Sequence, residues 1–160
     1  MVRFVTIGII LLTILLLPHS TEWIAGQDIY VRMALHHFFH GNLFHLLANL
    51  LSLFFILPYL KRWQMGMGYV IASLSILATA TPVIGFSNLI YAFIGLRSPS
   101  FKSKWWRHSG TIAFMVVTLA MVFIPNISAV THIICFSAGV AVSAIVRQLK
   151  QIRDDSKRYL

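Results

Sequence analysis

Three groups of residues in this chain could together carry out nucleophilic chemistry on a carbonyl: His40-Gly-Asn-Leu-Phe-His45-Leu-Leu-Ala-Asn49, Gly85-Phe-Ser87-Asn88, and His132. A serine hydroxyl is a weak nucleophile until a base within hydrogen-bond reach takes its proton. Histidine suits that task because its ordinary pKa lies near neutrality. Ser87 and His132 supply such a pair. His45 and Asn49 are four residues apart, so on an α-helix they share one face, about 6 Å apart along the axis. Both can donate hydrogen bonds, which suits them to an oxyanion rather than to proton abstraction. A serine at a helix N-terminus also has orphan backbone N–H groups and the positive end of the helix dipole beside it.

These residues sit in a chain built for lipid. Of its 160 residues, 58% are hydrophobic and only 11% charged, and its mean hydropathy is +0.81, far from the balance of a soluble domain. Ionisable groups in such surroundings are costly and usually functional. A helix needs about 20 residues to cross the hydrocarbon core. Residues 4–21 allow one short span and residues 33–60 a second. The uncharged stretch between Arg62 and Arg97 would be about 51 Å long as helix, which suits two crossings. Thr81, Pro82 and Gly85 can supply the turn. The stretch between Arg107 and Arg147 repeats the pattern around Pro125-Asn126. The expected fold is therefore all-α, with six transmembrane helices.

Basic residues orient this arrangement, because Lys and Arg accumulate in cytoplasmic segments. With the N-terminus inside, twelve of the thirteen Lys and Arg residues fall on the cytoplasmic side and only Arg32 falls outside. Both termini are then cytoplasmic, and residues 148–160 read as a solvated basic tail of one membrane domain spanning 1–160. The net charge of +9 is accounted for by orientation and anionic lipid headgroups, and nucleic acid is not an expected partner. A cleaved signal peptide at Met1-Val-Arg3 would leave five spans, but no A-x-A-like site follows Leu17.

The same topology brings the polar groups to one depth. His45 and Asn49 lie roughly 5 to 10 Å below the outer surface, and His132 about 7 Å below it. The helix beginning at Ser87 has ten residues before Arg97, about 15 Å of rise, so it must start well below that surface. Gly139 and Ser143 would let the His132 helix approach the Ser87 helix, and Gly95 lies on the face able to receive it.

Each residue also has a plainer reading. A serine after glycine near a turn is common, and Asn49 could join helices by a hydrogen bond. Cys135 reads as a small packing residue. His36, His37 and His40 cluster near the outer interface, but no acidic or Cys ligand accompanies them, so no metal site is expected. Arg32 is either a headgroup anchor or a brace for the first external loop. His19 and His108 read as interfacial or solvated. The acidic residues Glu22, Asp28, Asp154 and Asp155 all lie outside the apolar runs, which excludes an aspartyl protease and disfavours a transporter with inward carboxylates. H-E-x-x-H is absent, which excludes a zinc protease of that type.

Together the motifs resemble the rhomboid family of intramembrane serine proteases, over about residues 32–143. An arginine, an H-x4-H-x3-N helix, a G-x-S element followed by Tyr91-Ala92, and an H-x6-G helix occur in the family order. The resemblance implies that Ser87 is the nucleophile, His132 the general base, and His45 and Asn49 the oxyanion donors. It implies that Tyr91 packs on His132, and it assigns supporting places to Gly85, His40 and Arg32. It also implies transmembrane protein substrates cut near the outer face, no cofactor, and a multi-pass protein of the bacterial inner membrane. Three positions depart from the pattern: Val31 replaces a tryptophan, while Asn88 and Cys135 replace glycines. An Asn88 side chain pointing away from Ser87 would leave the backbone N–H groups free. The alternative is a proteolytically inactive rhomboid-like protein that binds or chaperones membrane partners.

Overall fold

The structure, a computed structural model, describes residue 8 and residues 21–79, 83–98 and 129–158. The expected fifth span, and the first apart from Gly8 and Thr21, lie outside the described residues, as do His19, His108, Thr81 and Pro82. Every regular element among the described residues is helical: α1 (Thr21–Ala25), α2 (Ile29–Leu35), α3 (Leu43–Ile56), α4 (Arg62–Ser75), α5 (Ser87–Arg97) and α6 (Ala129–Ser156). Short 3-10 turns extend three of them, at His36–Phe38, Leu57–Tyr59 and Ile76–Ala78.

Expected as a single second span, residues 33–60 instead form two arms. The helical segments Ile29–Phe38 and Leu43–Tyr59 meet at 79°. The cause is local. Asn42 adopts an extended backbone, and its side-chain oxygen accepts the His45 N–H at 2.8 Å, so it starts a new helix instead of continuing the old one. Asp28 caps α2 in the same way, accepting from Tyr30 and Val31. One arm is thus α2 with its 3-10 turn and the other α3 with its own.

Polarity in α3 is inverted relative to a helix on a water-soluble protein. Leu43, Phe44, Leu47, Leu51 and Phe54 are exposed, whereas His45, Asn49 and Ser52 are buried. Lipid accepts the first set at no cost, while the second must face the bundle interior. On α4, Val70 and Leu74 point outward while Gln64, Ser73 and Ser75 are buried.

The central element is α5, buried from Ser87 to Leu96. At its lower end Gln64 Nε2 on α4 donates to the Leu96 carbonyl at 3.1 Å, supplying a partner for one of the last carbonyls of a helix. Packing of α5 against α6 depends on glycine at two facing positions. A Cβ on Gly95 would collide with the Phe136 carbonyl oxygen, and one on Gly139 would lie 2.5 Å from the Ala92 carbonyl oxygen. Only hydrogen at both sites permits this approach.

Among the described residues α6 is the one continuous helix long and apolar enough to cross a membrane. Its 28 residues rise about 42 Å, more than the ~30 Å hydrocarbon core. The expected tail therefore begins as helix: α6 continues to Ser156, with every described side chain from Ala144 onward exposed.

Candidate active site

Ser87 is the first residue of α5, with Phe86 as its N-cap. The backbone N–H groups of Ser87, Asn88 and Leu89 therefore precede the first available intrahelical carbonyl, and the first helical bond here is Ile90 N–H to Phe86 O at 2.9 Å. The preceding loop is held by the segment that contains His36 and His40. Gly85 N–H donates to the His36 carbonyl at 2.9 Å. Phe86 N–H points at His40 Nε2 at 3.4 Å, and His40 Nδ1 faces the Phe38 carbonyl at 3.4 Å. One tautomer of His40, protonated on Nδ1, serves both contacts. His36 is itself fixed by donating from Nδ1 to the Arg32 carbonyl at 2.8 Å. Arg32 thus contributes its backbone to this brace, and its side chain is half-buried.

The decisive pairing joins α5 to α6. His132 Nε2 lies 2.8 Å from Ser87 Oγ, with both residues buried. With the hydroxyl donating, the proton of the neutral imidazole resides on Nδ1. Among the described residues that Nδ1 has no hydrogen-bond partner, and none of their carboxylates orients the ring as in a three-residue triad. A ring contact does so instead. Tyr91, one turn below Ser87, stacks on His132 with centroids 4.6 Å apart and planes inclined by 21°.

His45 and Asn49 approach from α3. Gly85 has φ +92°, a conformation that L side chains rarely adopt. A Cβ there would lie 2.8 Å from His45 Nε2 and 3.2 Å from Asn49 Nδ2. Both side chains thus converge on the turn two residues before the serine. Among the described residues neither His45 ring nitrogen nor Asn49 Nδ2 finds a hydrogen-bond partner, although all three atoms are buried. Leaving such a group unsatisfied costs about 1–3 kcal/mol, and native proteins do so rarely.

Not every candidate reaches this cluster. His37 turns away, its Nε2 3.2 Å from Ser73 Oγ on α4 and its ring against Tyr69. Cys135 is fully buried in the apolar core. Asn88, a departure from the family pattern, is also fully buried. Its amide makes hydrogen bonds to Ser75 and Thr131, on either side of α5. Thr131 has no signal of its own in the sequence beyond its place beside His132, and neither Ser75 nor the His36 carbonyl is signalled by any motif.

A family model of the rhomboid domain matches residues 27–149, which contain every residue of this site. The chain belongs to the rhomboid family. Comparison with curated proteins and with solved structures gave no match. Rhomboid proteins are integral membrane proteins, and the family includes both intramembrane serine proteases and inactive homologues. The outward apolar face of α3 suits such surroundings. The matched region starts just before α2 and ends inside the exposed part of α6.

Proposed function

We propose that this rhomboid is an active intramembrane serine endopeptidase that cleaves transmembrane segments of other membrane proteins near the outer face. The observation that carries the reading is the 2.8 Å contact between His132 Nε2 and Ser87 Oγ. An inactive homologue has no need to keep a buried serine and histidine in bonding register beneath a stacked tyrosine.

In the reaction, Ser87 Oγ attacks the scissile carbonyl carbon as its proton passes to His132 Nε2. The carbonyl oxygen becomes an oxyanion. It is stabilised by the Ser87 backbone N–H with His45 and Asn49, whose side-chain donors are not engaged by any described residue. His132 then delivers its proton to the leaving amine, the C–N bond breaks, and an ester to Ser87 remains. Attack of water on that ester, with His132 again taking the proton, releases the second product and restores the serine. No step calls for a metal or an organic cofactor.

The surrounding protein spans the membrane six times with both termini cytoplasmic, in a bacterial inner membrane. The distribution of Lys and Arg supports this topology, and substrates reach the site laterally from the lipid they share with the enzyme. The test is turnover of a model transmembrane substrate in proteoliposomes by wild type and Ser87→Ala. Cleavage by wild type alone supports the protease. Cleavage by neither protein, with binding retained by both, supports the non-proteolytic alternative.

A further inference from the structure

Asn88 links three helices through a directed chain of hydrogen bonds. Thr131 Oγ1 on α6 donates to Asn88 Oδ1 at 3.1 Å. Asn88 Nδ2 donates to Ser75 Oγ on α4 at 3.0 Å. Ser75 Oγ in turn donates to the Ala72 carbonyl at 2.7 Å. Because the Ser75 proton is used on that carbonyl, its oxygen is left to accept, which fixes the orientation of the Asn88 amide. Both ends of the amide are satisfied, and the residue is fully buried.

The placement of this chain gives it a second consequence. Ser87 and Asn88 are consecutive on α5, while Thr131 and His132 are consecutive on α6. The Ser87–His132 and Asn88–Thr131 contacts therefore run side by side across one helix seam. A rotation or slide of α6 that would break the first must also break the second. At the far end of the seam Gly95 and Gly139 set the separation of the helices, but hydrogen atoms there do not fix a register. The amide does. Any change in proton transfer follows from misplacement, since Asn88 bonds to neither Ser87 Oγ nor the His132 ring.

We infer that Asn88 is a positioning residue: its buried amide, held between Thr131 and Ser75, fixes the register of α6 on α5 and so keeps His132 Nε2 within bonding distance of Ser87 Oγ. The inference deepens the protease reading and rests on it only for its kinetic consequences.

The test uses full-length protein in one detergent, with Thr131→Val, Thr131→Ser, Asn88→Leu and the Asn88→Leu/Thr131→Val double variant. Thr131→Val keeps the shape of the side chain and removes only the hydroxyl, so it serves if Asn88→Leu does not fold. In Thr131→Val, kcat and the rate of Ser87 phosphonylation by a fluorophosphonate should fall by about 10- to 100-fold at nearly constant KM, the scale of a small misplacement of a reacting group. Thr131→Ser should restore most of the loss, and the double variant should be no worse than its more impaired parent. Wild-type rates in Thr131→Val, or equal losses in the Ser and Val variants, would overturn the inference.

A second readout does not need activity. In the 15N spectrum of histidine-labelled protein, His132 Nε2 should move downfield in Thr131→Val toward its position in Ser87→Ala, and stay in place in Thr131→Ser. If wild type neither cleaves nor labels, the protease reading fails by itself and this shift decides the clamp. An unmoved Nε2 in Thr131→Val then contradicts it.

Discussion

The two halves of the candidate site are built in opposite ways. On the α5–α6 seam the reacting pair and the residues beside it are bonded to one another: Ser87 to His132, Asn88 to Thr131 and Ser75. On α3, His45 and Asn49 are buried just as deeply, yet their ring nitrogens and amide nitrogen have no partner among the described residues. On the proposed reading, the contrast separates two demands of acyl transfer. A nucleophile and its base must be in register before substrate arrives. An oxyanion hole must instead hold donors in reserve for a charge that does not yet exist.

The strongest challenge to this division is removal of a member of the bonded half. Ser87→Ala and His132→Ala should each reduce cleavage of a transmembrane substrate to background while the protein stays folded, as judged by its thermal transition. Appreciable turnover in either variant would break the dyad.

Substitutions in the reserve half sharpen the comparison because their effects on activity and stability should diverge. Asn49→Leu and His45→Leu should each lower kcat by up to ~100- to 1000-fold, the scale for loss of one oxyanion donor. Their melting temperatures should hold or rise, since an unsatisfied buried group costing about 1–3 kcal/mol is removed. A fall in melting temperature with kcat intact would place these residues in packing instead.

Gly85→Ala tests where the two halves meet. The new Cβ would occupy a strained backbone conformation and press on His45 and Asn49. The expected result is a loss of activity accompanied by destabilisation of about 1–3 kcal/mol, the usual cost of residues held in such regions. Wild-type activity and stability together would show that the turn is more pliant than its geometry indicates.

The smallest effect is expected at Tyr91. Replacement by Leu removes the ring stacked on His132, worth about 0.5–1.5 kcal/mol beyond its apolar area. Activity should fall several-fold, through kcat, because the imidazole gains rotational freedom. A change confined to KM would assign Tyr91 to substrate contact.

Much of this arrangement is legible in the sequence because it depends on local periodicity and on length. The i, i+4 spacing puts His45 and Asn49 on one face, and the ten residues before Arg97 match the short helix that Ser87 begins. Glycines at 95 and 139 mark the close crossing. The break at residues 39–42 is hidden by hydropathy, which sees one apolar run from 33 to 60. Its signal is the Asn42 cap, a side-chain hydrogen bond that hydropathy does not register. The role of Asn88 is hidden for a different reason. Its partners lie 13 and 43 residues away, and a pairing across helices leaves no periodic trace in either one. Sequence shows only that a glycine position has gained a side chain.

The central claim is that Ser87 is a nucleophile activated by His132. It is tested most directly by treating wild type, His132→Ala and Ser87→Ala with a fluorophosphonate probe and locating the adduct by peptide mass spectrometry. The account predicts a single adduct on Ser87 in wild type, labelling in His132→Ala slowed by at least ~100-fold as expected for loss of a general base, and none at residue 87 in Ser87→Ala. Labelling of Ser87 at the wild-type rate in His132→Ala, or an unreacted Ser87 in a wild-type protein that is folded, would contradict it.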